Sequence, residues 1–107
     1  MPRVDSLECL IRARICARNA RLAREAEAAA IAEINYWTPI KERFDWRSRF
    51  NDINRSRRSY RTARYIMNAR DRAFSARKNA ENNESMAYSW LEEAAYQAAR
   101  EAAGAAA

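Results

Sequence analysis

The sequence predicts an all-α protein, a compact bundle of three to four helices in a single domain over residues 1–107. Three observations predict it. Alanine, the strongest helix former, occurs 24 times. One glycine and two prolines leave too few turn residues for an all-β fold, and no glycine-rich phosphate loop. Apolar side chains recur at helical spacing over most of the chain.

Helix one is expected over about 6–35. Asp5 stands where an N-cap belongs, and Glu8 follows it at capping-box distance. At 100° per residue Leu7, Ile11, Ile15, Leu22, Ala26 and Ala29 fall on one arc of about 100°, the expected core face, with Arg14, Arg18 and Arg21 beside it. Thr38-Pro39 then reads as a new start, with Thr38 as cap and Pro39 at the first helical position. Helix two follows over about 39–52. Its large residues form two groups, Ile40 with Phe44 and Trp46 with Phe50 and Ile53, with Arg43 and Arg47 projecting between them.

Asn51, Asp52 and Asn54 favour a turn. Helix three is expected over about 55–80, with Ala63, Ile66, Met67, Ala73 and Phe74 on its apolar side. Asn79, Asn82 and Asn83 mark the next break. Helix four follows over about 84–103, packing through Met86, Trp90, Leu91, Ala94, Ala95 and Ala98 and stopping at Gly104. Large aliphatic residues are few: four leucines, seven isoleucines and one valine. Alanine faces bury little area, so a homodimer or a protein partner is expected to complete the core.

The chemistry of catalysis is thin. Without histidine the chain lacks the usual general base at neutral pH and the commonest metal ligand. Cys9 and Cys16 lie seven residues apart, about 10.5 Å along a helix axis, too far for a disulfide, and read as small buried residues. Glu25, Glu27, Glu92 and Glu93 offer no arrangement beyond helix-surface charge. No enzyme, metal site or cofactor is expected. Neither a signal-peptide pattern nor a membrane-spanning run is seen, so the expected location is cytoplasmic.

Charge is distributed in blocks. Residues 1–24 carry net +4, residues 25–42 net −3, residues 43–78 net +9 and residues 79–107 net −4. The overall +6 therefore conceals a strongly basic middle, the electrostatic footprint of a polyanion partner. Of the 20 basic residues 18 are arginine, whose planar fork suits phosphate contact and base stacking. Position matters more than the count, because a GC-rich genome also favours arginine and alanine.

On helix three Arg57, Arg61, Arg64, Asn68, Arg72 and Ser75 share an arc of about 80°. Tyr65 borders one side of this stripe and Tyr60 the other, with Arg58 just beyond Tyr65. Arginines that track phosphates beside tyrosines that stack on unpaired bases favour single-stranded nucleic acid over duplex. Arg43, Arg47, Trp46 and Phe50 of helix two would extend that surface. The competing and favoured reading of Trp46 and Phe50, as of Phe74 and Trp90, is a place in the core, and Arg70 and Arg77 on the apolar side are expected to snorkel or pair with acids.

A small helical chain with an arginine-and-aromatic middle, from Tyr36, Trp37, Arg43, Phe44, Trp46, Arg47, Arg49 and Phe50 through Arg72, and with no catalytic set, resembles the anti-CRISPR proteins of phages and mobile elements, in particular those directed at type I-E interference. The resemblance is one of size, composition and style over the whole chain. It implies a non-enzymatic, stoichiometric inhibitor in a bacterial host cell. The expected partners are single-stranded DNA, such as the displaced strand of an R-loop, or a CRISPR-Cas effector complex, and not a membrane. The alternative is a protein-binding inhibitor or adaptor that docks its basic face on an acidic protein surface.

Overall fold

The computed structural model describes residues 5–48 and 53–106, with side chains at every position but 47, 48, 53–56 and 106. The described residues form two helices: α1, Ser6–Ser48, and α2, Ile53–Ala106. The compact bundle of three to four helices is thereby corrected. The expected helices one and two are one helix, and helices three and four are one helix.

Neither expected break interrupts its helix. Pro39 lies inside α1, where it removes the hydrogen bond that residue 39 would donate to the Asn35 carbonyl and crowds that carbonyl with its ring. The Thr38 hydroxyl donates to the Ile34 carbonyl at 2.6 Å, so it serves the running helix instead of capping a new one. In α2 the Asn83 amide donates back to the Asn79 carbonyl at 2.9 Å and to the Asn79 side-chain oxygen at 2.7 Å. The asparagine cluster is thus absorbed within the helix. Gly104 sits inside the last turn of α2 and does not stop it. The turn expected at Asn51 and Asp52 lies outside the described residues, as do Phe50 and the Arg47 and Ile53 side chains.

The start of α1 is the one the sequence predicts. The Glu8 amide donates to the Asp5 carboxylate at 2.8 Å, and the Cys9 amide to the Asp5 carbonyl at 3.1 Å. The Glu8 carboxylate accepts from Arg12 Nε one turn on, at 3.1 Å. A second cap comes from the other helix. The Ser6 amide and hydroxyl donate to the two carboxylate oxygens of Glu101, at 2.9 and 2.7 Å.

Every buried position of α1 and several half-buried ones fall on one series, Cys9, Ala13, Cys16, Ala20, Ala23, Glu27, Ala30, Ile34, Trp37, Lys41 and Phe44. Their spacings alternate strictly between four and three, a heptad seam. In α2 the same alternation runs through Ser59, Thr62, Ile66, Ala69, Ala73, Ala76, Ala80, Asn83, Ala87, Trp90, Ala94 and Gln97. Most seam residues are alanine or cysteine, which let two helix backbones approach closely while burying little area per residue. Cys9, Ala69 and Ala80 are fully buried. Thr62 is the buried polar member, and its hydroxyl is satisfied by the Arg58 carbonyl at 2.8 Å.

The chain forms two compact units, and each helix contributes a segment to both. Unit 1 holds Met1–Ala23 and Lys78–Ala107, and unit 2 holds Arg24–Arg77. The segments run antiparallel within each unit. Arg12 lies 4.9 Å from the Trp90 ring in unit 1, and Trp37 lies 5.0 Å from Tyr65 in unit 2.

The expected core face of helix one is also corrected. Leu7, Ile11, Ile15 and Leu22 are exposed, Leu7 to 65%, and Ala26 and Ala29 are exposed with them. Met67, Phe74, Met86 and Leu91 of α2 are exposed as well, whereas Ile66 and Ala94 are buried as expected. A seam built from alanine leaves no room for leucine between the helices, so the large apolar residues stand outside it.

Candidate nucleic-acid interface

Unit 2 carries thirteen basic and seven acidic residues, unit 1 seven of each, so the whole net charge of +6 belongs to unit 2. Every residue of the predicted surface lies in unit 2: Arg43, Arg47, Arg57, Arg58, Tyr60, Arg61, Arg64, Tyr65 and Arg72. The Arg47 side chain lies outside the described residues.

The heptad divides the α2 stripe into two rows. Arg57, Arg61 and Arg64 occupy the outward positions farthest from the seam and are exposed. They rise about 6 and then 4.5 Å along the axis. Arg58, Tyr65 and Arg72 recur every seven residues and flank the seam, and Tyr65 and Arg72 meet α1 there. The Arg72 guanidinium forms an ion pair and hydrogen bond with Glu33 of α1. Tyr65, 46% exposed, sets its ring 5.0 Å from Trp37 at a tilt of 41°, and Trp37 meets Tyr36 edge-on at 5.0 Å. Glu33, Trp37, Tyr65, Asn68 and Arg72 together line one surface hollow.

Among the described residues, Arg43, Arg57, Arg58, Arg61 and Arg64 make no ion pair or side-chain hydrogen bond. Tyr60 is 67% exposed, and no described aromatic ring meets it. The structure thus brings Tyr65 and Arg72 together and leaves Arg57, Arg61, Arg64 and Tyr60 open to solvent. Arg43 is exposed on α1. Asp45, on the same helix, is occupied by Lys41 and by the Ser59 hydroxyl of α2.

Two aromatic expectations change. Trp46 and Phe74, expected in the core, are exposed, and Arg77 holds its guanidinium 5.6 Å from the Phe74 ring. Trp90 is half-buried at the seam beneath Arg12. Trp37 is the residue the wheel did not assign, although its seven-residue spacing from Ala30 and Phe44 marks it as a seam position.

Cys9 and Cys16 are buried free thiols, as their spacing implies. Burial raises the Cys9 thiol above its ordinary value, and the nearby Glu93 carboxylate pushes the same way. Among the described residues no three His, Cys, Asp or Glu side chains group as metal ligands, and no helix is long and apolar enough to cross a membrane. No family model matches the sequence, and neither curated proteins nor solved structures give a significant match.

Proposed function

We propose that the protein is a non-enzymatic binder of single-stranded nucleic acid, with Arg57, Arg58, Arg61 and Arg64 holding phosphates and Tyr60 offering its ring to a base. One observation carries this reading: the entire net charge of +6 sits in unit 2, where an exposed arginine row makes no ion pair among the described residues. Like charges repel along such a row, and a polyanion relieves that repulsion. The open Tyr60 ring favours a strand with unpaired bases over a duplex. With the anti-CRISPR resemblance, the strand held is the displaced DNA strand of the R-loop, which the recruited nuclease then cannot use.

Fluorescence anisotropy with labelled single-stranded and duplex oligonucleotides tests it. Four phosphate contacts on a single strand predict a slope of log K against log salt near −2.8, about a 50-fold loss between 50 and 200 mM. Single-strand preference with that slope supports the reading, and equal binding to both forms removes the role of Tyr60. No binding at low salt overturns the reading and leaves an acidic protein surface as the partner to seek. Replacing Arg61 and Arg64 together with glutamate is expected to abolish binding at unchanged helicity.

A further inference from the structure

The second surface of the molecule is apolar and lies in unit 1. Leu7, Leu10, Ile11 and Ala17 of α1 face Ala87 and Leu91 of α2 across a groove on one flank of the seam, and Arg14 stands in its wall. Leu7, Leu10, Ile11 and Leu91 are each about half exposed or more. These are large aliphatic side chains from a chain that owns few, and they stand outside a seam of alanine and cysteine.

The area points the same way. A folded chain of 12.4 kDa ordinarily exposes about 6,100 Å². This chain exposes 8357 Å², an excess of roughly 2,200 Å². Obligate homodimers bury about 1,000–2,500 Å² on each partner, so the excess, summed over both units, is enough for one such interface.

Charge identifies the occupant. The α1 segment of unit 1, residues 1–23, carries five basic and two acidic residues. The α2 segment, residues 78–107, carries two basic and five acidic residues. Unit 1 is therefore neutral in sum but split between a basic helix and an acidic one. A surface of that kind complements itself under a two-fold axis, because α1 of each copy can lie on α2 of the other. Arg14, at the groove, and Glu92, next to Leu91, have no ion-pair partner among the described residues.

We infer that a second copy of this chain docks on unit 1, its Leu91 entering the groove beside Leu10 and Ile11 and its Glu92 meeting Arg14, each contact made twice. Dimerisation would then complete in unit 1 the core that the alanine seam leaves thin, and it stands independently of nucleic-acid binding by unit 2.

Sedimentation equilibrium on the full chain at roughly 10 and 100 µM is expected to give twice 12.4 kDa. Replacing Leu10 and Leu91 with glutamate is expected to weaken association about 100-fold or more. Arg14→Glu is expected to weaken it about 10-fold, and adding Glu92→Arg to restore it to within about 3-fold. A wild-type chain of 12.4 kDa at the higher concentration overturns the inference. So does a helical Leu10→Glu, Leu91→Glu variant that associates like the wild type. If that variant loses its helicity, Arg14→Glu decides, and unchanged association then overturns the proposed face.

Discussion

Arg72 of α2 gives its guanidinium to Glu33 of α1, beside the seam of unit 2. The pair withdraws one arginine from the basic row and adds a carboxylate next to the hollow that Trp37 and Tyr65 line. Both side chains are about half exposed, so the pair contributes little to stability and acts mainly on the local potential. Glu33→Gln is therefore expected to tighten single-strand binding about 2- to 5-fold and steepen its salt dependence. Anisotropy titrations at two salt concentrations check this, and weaker binding by the glutamine variant would remove Arg72 from the vicinity of the bound strand.

The two tyrosines separate function from structure. Tyr60→Ala is expected to cost about 1–3 kcal/mol of single-strand affinity, since it removes an open stacking face, while leaving the melting temperature unchanged. Tyr65→Ala breaks the contact with Trp37 and is expected to lower stability by about 0.5–1.5 kcal/mol, with a smaller effect on binding. Paired melting and binding measurements on the two variants check it. Equal binding losses would mean that both rings touch the ligand.

The helical class and the Asp5 cap were legible because they depend on local propensity and on a single turn. The continuity of α1 and α2 was not. Thr38-Pro39 and the Asn79–Asn83 cluster are strong local stop signals, yet the seam runs in register through both, from Ala30 to Phe44 and from Ala76 to Ala87. The cost of one proline in a helix, about 3 kcal/mol, is offset by packing on both sides of it. The seam itself was hidden because hydrophobicity ranks leucine and isoleucine above alanine, and so points to Leu7, Ile11 and Ile15. The signal that could have found it is the recurrence of small residues at alternating three and four, as in Cys9, Ala13, Cys16, Ala20 and Ala23.

The arginine row was legible in part for the same geometric reason. A wheel at 100° per residue lets a heptad seam drift by about 20° per repeat. Arg57, Arg61 and Arg64 lie far enough from the seam to stay exposed in spite of the drift. Arg72, further along, is carried toward α1 and into its pair with Glu33.

A seam of small residues is intolerant of added volume. Ala69 is fully buried, so Ala69→Leu is expected to destabilise the fold by about 1–3 kcal/mol through overpacking. Met67, two residues away, is 61% exposed, and Met67→Ala is expected to change stability by no more than about 0.5 kcal/mol. This order reverses what hydrophobicity alone would assign. Urea titrations followed by circular dichroism compare the two, and a Met67 variant costlier than the Ala69 variant would place the seam on the wrong face of α2.

Glu101 ties the end of α2 to the start of α1, and its titration reports that tie. The Ser6 hydroxyl and amide hold its carboxyl below the ordinary glutamate value, because both donate to the charged form. A carboxyl whose folded value is depressed contributes stability that is present above the unfolded value, near 4.5, and lost as pH falls through the folded one. Acidification through that window is therefore expected to loosen unit 1 at the ends of its two helices. Ser6→Ala removes the hydroxyl bond, so Glu101 should then titrate closer to 4.5 and this contribution should shrink. Following the Glu101 side-chain carbon by NMR through an acid titration of both proteins checks it. Identical titration curves would show that Ser6 does not hold the carboxylate in solution.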